Sequence, residues 1–238
     1  VPTALSKRFE EVTGLPILQA WGMTETSPVG AVAKVISSLE GSPEEKLDEL
    51  RASQGLPVLG VELRVVTPEG EKVPWDGETQ GELQAAGPWI TDGYYDDNRS
   101  AESMTDDGWC RTGDVAVMLP EGYVKLVDRT KDVIKSGGEW ISSVELENEI
   151  MAHPAVAEAA VIAVSHPKWA ERPLACVVLR DNAEATKEDI LGFLDGRVAK
   201  WWIPDDVVFI DQVPKTSVGK FSKKTLRERF GDHRLPGA

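Results

Sequence analysis

The spacing of apolar residues changes along this chain, and no single layer of secondary structure accommodates all of it. From Gly55 to about residue 128 the apolar runs are short and separated by turn signals: Glu62–Val66, Pro68-Glu69-Gly70, Gly81–Ala86, then Gly87-Pro88. Short strands at that spacing predict a small β-barrel or distorted sandwich. Tyr123–Val127 and Asp132–Lys135 read as strands around the polar turn Asp128-Arg129-Thr130-Lys131. Beyond that turn, helical and strand patterns alternate. Ser142–Met151 reads as a helix with Val144, Leu146 and Ile150 as its apolar residues, and Ala157–Val164 as a buried strand. Pro173–Arg180 follows as a strand, Thr186–Ala199 as a helix, Val207–Ile210 as a strand and Ser222–Phe230 as a basic helix. These predict a compact α+β domain of about 110 residues, a normal domain size.

Charge changes at the same place. Residues 1–128 hold 10 Lys and Arg against 23 Asp and Glu, net −13, whereas residues 129–238 hold 16 against 17, net −1. A step that sharp points to two domains, the nearly neutral one free to present local basic groups to an anionic ligand. The total of −14 disfavours a nucleic-acid partner, because phosphate backbones require a basic face. No apolar run exceeds six residues, against the roughly twenty of a transmembrane helix, so no bilayer span is expected. Two distant cysteines, Cys110 and Cys176, suit a reducing, cytoplasmic compartment and argue against a disulfide framework or a zinc site.

At the front, Thr3–Thr13 reads as a short amphipathic helix stopped by Gly14, and Pro16–Trp21 as a buried strand running into Gly22. Residues 40–52 are charged and helix-prone. A helix feeding a buried strand is half of an α/β unit, so the chain is expected to start inside a larger domain, with residues upstream of Val1. Lys7, Arg8, Glu10 and Glu11 interrupt the start, which is no signal-peptide pattern.

Several catalytic signatures are excluded: there is no GxSxG nucleophile elbow and no GxGxxG after a strand. Gly219-Lys220 fails as the end of a phosphate-binding P-loop, with Pro214 where the first glycine belongs and Phe221 where Ser or Thr belongs. His153 and His166 each precede a proline and read as turn or capping residues, and His233 as part of a frayed tail. What remains is a series of short polar clusters. Trp21-Gly22-Met23-Thr24-Glu25 offers an aromatic, a hydroxyl and a carboxylate after a strand, where α/β folds open their ligand crevice. Arg111-Thr112-Gly113-Asp114 puts a carboxylate after a tight turn, suited to vicinal hydroxyls. In Lys135–Trp140 the glycine pair either lets backbone approach a ligand closely or makes a hairpin turn. Lys215–Lys220 sets a lysine on a flexible loop. Taken singly, each is explained as well by an ordinary turn.

Together and in order, they resemble one family. Trp21 through Pro28, Gly81-Glu82-Leu83 through Gly93-Tyr94, Arg111–Asp114, Asp128 through Ser142 and Lys215–Lys220 are similar to motifs of the AMP-forming acyl-CoA synthetases, in the adenylate-forming superfamily. The Gly-Gly-Glu-Trp-Ile-Ser stretch is similar to that of medium- and long-chain fatty acyl-CoA ligases. The resemblance implies the C-terminal part of such an enzyme, without the upstream phosphate loop and most of the acyl pocket. Residues 1–128 would end the large adenylating domain, with 1–54 an α/β segment and 55–128 the barrel subdomain. Residues 129–131 would be a hinge, and 132–238 the mobile C-terminal α+β domain.

The implied reaction uses ATP, Mg²⁺ and CoA to convert a fatty acid into acyl-AMP and then a thioester, and the fragment alone is expected to be inactive. Trp21 would lie against adenine beside Gly22, Thr24 would bond the α-phosphate, and Glu25 would hold Mg²⁺. Asp114 would accept the ribose hydroxyls with Arg129 in support, and Lys220 would reach the α-phosphate during adenylation. Lys131 would be the pivot that withdraws Lys220 and brings in Gly137 and Gly138 for the thiol, with Lys135 and Trp140 as further nucleotide contacts. The implied partners are small molecules, with a peripheral membrane contact and any oligomeric state left open. The resemblance also admits an adenylating domain that loads a carrier-protein phosphopantetheine, and a noncatalytic binding module of the same fold.

Overall fold

The computed structural model describes residues 3–98, 100–216, 219 and 221–236. Internal contacts divide the chain into two compact units, Val1–Val127 and Asp128–Ala238.

In the first unit the elements are α1 (Thr3–Thr13), β1 (Ala20–Trp21), β2 (Ala31–Val32), α2 (Glu44–Ala52), β3 (Leu56–Pro57), β4 (Glu62–Val66), β5 (Gly81–Ala86), α3 (Ser100–Ser103), β6 (Cys110–Met118) and β7 (Val124–Arg129), whose last two residues lie past the division. β1, β2 and β3 form a small antiparallel sheet, and β4-β5-β6-β7 a four-stranded one in sequence order. The strand positions match the sequence reading, but the described strands make an open sheet, with no pairing of β4 to β7 to close a barrel. The expected buried strand over Pro16–Trp21 is also corrected. Only Ala20 and Trp21 are strand, Leu18 is 56% exposed, and Trp21 alone of the six is buried. Two-residue partners such as β2 and β3 give that segment no covering face. Trp21 instead joins Ala31, Val65, Leu83, Ala116 and Val124 in one apolar cluster.

The second unit contains β8 (Ile134–Ser136), β9 (Glu139–Ile141), α4 (Ser143–Met151), β10 (Val156–His166), β11 (Ala170–Leu179), α5 (Lys187–Phe193), β12 (Asp206–Phe209) and α6 (Lys223–Phe230). The sheet runs β10-β11-β8-β9, with β12 parallel to β11. Alternate residues of β10 and β11 enter two different cores. Ala159, Val161, Ala175 and Val177 pack with Leu146 and Ile150 of α4 and Ile190 of α5. Ala160, Ile162, Leu174 and Cys176 pack with Leu226 of α6. Covering both faces is what makes Ala159–Val164 apolar without interruption. Burial pushes the Cys176 thiol up to about 12, so it is a packing residue and not a nucleophile.

Helix starts follow their caps. Ser142 accepts from the Glu145 amide, Ser222 from Thr225, and Thr186 forms a reciprocal capping box with Asp189. α5 stops at Phe193 rather than Ala199, since Asp195-Gly196 turns the chain with Gly196 at φ +76°. Val144, expected on the apolar face of α4, is 42% exposed because Leu146 and Ile150 set the buried side. His153 and His166 do serve turns: each ring Nδ1 accepts an amide, from Ala155 and from Lys168 and Trp169 respectively. His233 is not frayed, with its Nε2 2.8 Å from Asp206 Oδ2. Burial alone would raise the Asp206 carboxyl, but bonds from Lys187, His233 and the Val207 amide outweigh it and hold the group below its usual range. Among the described residues no helix is long and apolar enough to cross a membrane.

Candidate functional site

Glycine 22 begins the first unit's site. A Cβ there would sit 1.8 Å from the Pro28 carbonyl oxygen, so residues 22–28 can fold back only around a glycine. Gly22, expected to face a ligand, is therefore required first by the loop's own backbone. Thr24–Thr26 then forms one 3₁₀ turn, closed by the Thr26 hydroxyl accepting from the Met23 amide at 2.9 Å. A second loop clamps this turn: the Thr91 amide donates to the Glu25 carbonyl at 2.9 Å and the Ser27 hydroxyl to the Trp89 carbonyl at 2.8 Å. Between the two loops lies a cleft of about 350 Å³ lined by Thr24, Glu25, Ser27, Trp89, Ile90 and Tyr94.

Trp21 and Asp114 lie 93 residues apart in sequence and meet directly. The indole Nε1 donates to Asp114 Oδ2 at 2.8 Å, and both side chains are buried. The Thr112 hydroxyl accepts the Asp114 amide and donates to the Leu83 carbonyl, tying the start of β6 to β5. With the ring 7% exposed, Trp21 offers little face for stacking on a base. The structure gives it the work of holding a carboxylate instead. Trp21→Phe keeps the apolar ring but leaves a buried carboxylate oxygen short of a donor, at an expected cost of about 1–3 kcal/mol. Thermal unfolding against the parent chain measures it.

The remaining candidates fall in the second unit. Arg129 and Lys131 are exposed on the turn where the Asp132 and Val133 amides both donate to the Arg129 carbonyl. Asp128 is buried and accepts from the Arg129 and Ser143 amides at 2.7 and 2.6 Å. Gly137 and Gly138, at φ +61° and +95°, make the two-residue turn between β8 and β9, as a primed hairpin demands. The hairpin alternative is thus the one observed, and it still leaves both glycines exposed at the tip. Lys135 and Trp140 face each other across the ladder. Beside this hairpin is a cleft of about 450 Å³ walled by Ser136, Gly137, Glu139, Trp169, Arg172 and Trp201. Arg172 is a brace within it, donating to Asp205 and to the carbonyls of Trp201 and Ile203. Lys220 lies outside the described residues. On either side of it, the Ser222 amide donates to the Pro214 carbonyl at 2.7 Å and Lys215 pairs with Glu158 at 2.6 Å.

Sequence reasoning missed Tyr94's hold on Glu25 and the tryptophan pair of the second cleft. Neither has a local signal, since an aromatic on a cleft and one in a core are the same letter. For a divalent cation, Glu25 and Thr24 offer hard oxygen donors at the rim of a cleft. Among the described residues no group of three or more His, Cys, Asp or Glu converges. That donor set fits Mg²⁺ held by one carboxylate together with ligand phosphates, and not a protein-only cage.

Residues 1–95 match the family described as AMP-binding enzyme, and residues 145–220 match the AMP-binding enzyme C-terminal domain. The chain is 51% identical, over 98% of its length, to a long-chain-fatty-acid–CoA ligase of Thermus thermophilus, covering 43% of that protein. It is 46% identical, over 97% of its length, to a 3-methylmercaptopropionyl-CoA ligase of Ruegeria lacuscaerulensis, covering 42%. Among solved structures, ATP-bound MatB from Rhodopseudomonas palustris superposes with a TM-score of 0.82 at 31% identity, over 97% of this chain and 44% of that one. The chain thus spans less than half the length of each of these relatives.

Proposed function

This chain belongs to the AMP-binding enzyme family and carries that family's C-terminal domain, and on that footing we propose that the whole protein is an ATP-dependent acyl-CoA ligase acting on a fatty acid. In the first half-reaction an oxygen of the acid's carboxylate attacks the α-phosphorus of ATP. The bond to pyrophosphate breaks, and acyl-AMP forms. In the second, the sulfur of CoA attacks the acyl carbon and AMP leaves. Two anions must approach each other in the first step, so positioned cations and hydrogen-bond donors supply the catalysis.

The Trp21–Asp114 bond is the observation that carries this reading. A buried carboxylate with one oxygen fixed by an indole is a preorganised acceptor, which suits the two ribose hydroxyls of a nucleotide. Thr24 donates its hydroxyl to the α-phosphate, and Glu25 holds Mg²⁺, which when bound neutralises phosphate charge. Arg129 supports ribose and phosphate, Lys220 supplies the cation of adenylation, and Lys131 is the hinge between half-reactions. The Gly137-Gly138 tip and the cleft beside Trp169 and Trp201 receive the CoA thiol arm, with Lys135 and Trp140 nearby. A fatty acid as substrate is supported by the Thermus relative, whose name specifies one.

The test is a pyrophosphate-release and thioester assay of the full-length protein with fatty acid, ATP, Mg²⁺ and CoA, run beside Asp114→Ala. Losing a charge-assisted bond is expected to weaken ATP binding about ten- to a hundredfold. Unchanged ATP affinity in a calorimetric titration counts against the ribose role, and absence of thioester in the parent protein against the ligase.

A further inference from the structure

Glu25 does not stand alone on the wall of its cleft. The Tyr94 hydroxyl donates to Glu25 Oε1 at 2.6 Å, the short range of an O–H bond to an ionised acceptor. The two residues are 69 apart in sequence, so tertiary folding alone brings them together. The loop that delivers the phenol is itself braced. The Tyr94 amide donates to the Ser100 hydroxyl at 2.6 Å, that hydroxyl donates to the Tyr94 carbonyl, and the Thr91 hydroxyl donates to the Gly93 carbonyl at 2.8 Å. From the same loop the Thr91 amide donates to the Glu25 carbonyl, and the Trp89 carbonyl accepts the hydroxyl of Ser27, the residue that follows the Thr24–Thr26 turn. Phenol and carboxylate are thus fixed to each other through backbone on both sides.

We propose that Tyr94 is the positioning residue of the metal–nucleotide site: by donating to Oε1 of Glu25 it fixes the orientation of the carboxylate that would hold Mg²⁺. This rests on the assignment of Glu25 made above. A glutamate free to sample its rotamers must be ordered when the cation arrives, whereas one already hydrogen-bonded has lost that freedom on folding. A single pre-oriented carboxylate also suits Mg²⁺, which takes few protein ligands. Partners that orient a ligating group change metal affinity by about ten- to a hundredfold when removed. Tyr94 is 38% exposed, so water can partly replace its hydroxyl and the low end of that range applies.

The experiment uses the full-length protein with Mn²⁺ as the probe and ATP as the nucleotide, without acid substrate. Electron paramagnetic resonance counts free Mn²⁺, and calorimetry in chelator gives the metal-free ATP affinity. Tyr94→Phe, which keeps the ring, is expected to weaken Mn²⁺ binding in the presence of ATP about tenfold while leaving metal-free ATP affinity and the unfolding temperature unchanged. Glu25→Gln is expected to weaken Mn²⁺ binding at least as much, and Tyr94→Phe added to it to have no further effect. If Glu25→Gln weakens the metal and Tyr94→Phe does not, the positioning role is wrong and the Glu25 assignment stands. If neither variant changes Mn²⁺ binding, or the parent binds no Mn²⁺ with ATP, the reading of Glu25 falls and the proposal with it. Equal loss of metal-free ATP affinity in Tyr94→Phe would make Tyr94 a general support of the loop, which also overturns it.

Discussion

On the proposed ligase reaction, replacing Lys220 by alanine is expected to slow adenylation in the full-length protein by about 10²–10³-fold, the usual cost of removing one preorganised group aimed at developing charge. Thioester formation from supplied acyl-AMP is expected to stay close to the parent rate. The asymmetry comes from electrostatics. In the first half-reaction a carboxylate meets a polyphosphate, and a cation at the α-phosphate offsets their repulsion. In the second, the attacking sulfur meets a carbonyl carbon, and that repulsion is gone. The flanking contacts, Pro214 to Ser222 and Lys215 to Glu158, hold both ends of the segment in which Lys220 occurs. Lys131→Pro is the complementary variant: by fixing φ near −65° at the proposed hinge it is expected to spare adenylation and depress thioester formation. Separate assays of pyrophosphate release and of thioester from acyl-AMP measure both. Equal damage to both steps by both variants would make Lys220 a general phosphate-binding lysine and remove Lys131 from the hinge.

The largest expected change in stability is at Lys223. Its ammonium lies 2.7 Å from Glu147 and also reaches the Ser143 hydroxyl, while Glu147 accepts the Val161 amide of β10 at 2.7 Å. Ser143 in turn bonds Asp128 through its amide and its hydroxyl, and Arg227, one turn along α6, pairs with Asp132 at 2.7 Å. This buried polar chain pins α6 to α4 and to the first residues of the second unit. Lys223→Met strands Glu147, and breaking a buried pair from one side costs about 3–5 kcal/mol. Adding Glu147→Gln is expected to recover much of that, because the amide oxygen still accepts from Val161 while the uncompensated charge is gone.

The pH dependence has a definite sign. Burial raises the Glu147 carboxyl above its ordinary value, against the lowering effect of Lys223 and the Val161 amide. A carboxyl raised on folding binds more protons folded than unfolded, so its contribution to stability falls as pH rises from the unfolded value through the folded one. Without Lys223 the folded value climbs further. The deficit of Lys223→Met is therefore expected to be smaller near pH 3, well below the ordinary glutamate value of 4.5, than at pH 7. Denaturant unfolding at the two pH values measures it, and an equal deficit at both would refute the unpaired-charge explanation.

Much of the architecture was legible in order and type. The caps Ser142, Thr186 and Ser222 announce their helices, and the turn signals around Gly81–Ala86 announce a short strand, because both depend on residues near in sequence. Gly137-Gly138 was legible as a turn for the same reason. A helical period that runs on past Gly192 and Gly196 predicts α5 longer than it is, and the apolar composition of Pro16–Trp21 predicts a burial that its surroundings do not supply.

What the sequence by itself determined is the set of local commitments: two regions of different texture and charge, the caps and turns, and the ordered motifs that place the chain in its family. What only the tertiary structure decided is how side chains distant in sequence pair. Trp21 reads as a stacking aromatic and becomes the donor that fixes Asp114, and Tyr94 becomes the anchor of Glu25. Lys223, on a helix that the sequence marks only as basic, becomes the partner of a buried glutamate. The reason is that local preference is set by a residue's own backbone and near neighbours, worth tenths to about one kcal/mol each. Burial and pairing depend on what the rest of the fold places opposite it, where a lost partner costs about 1–5 kcal/mol.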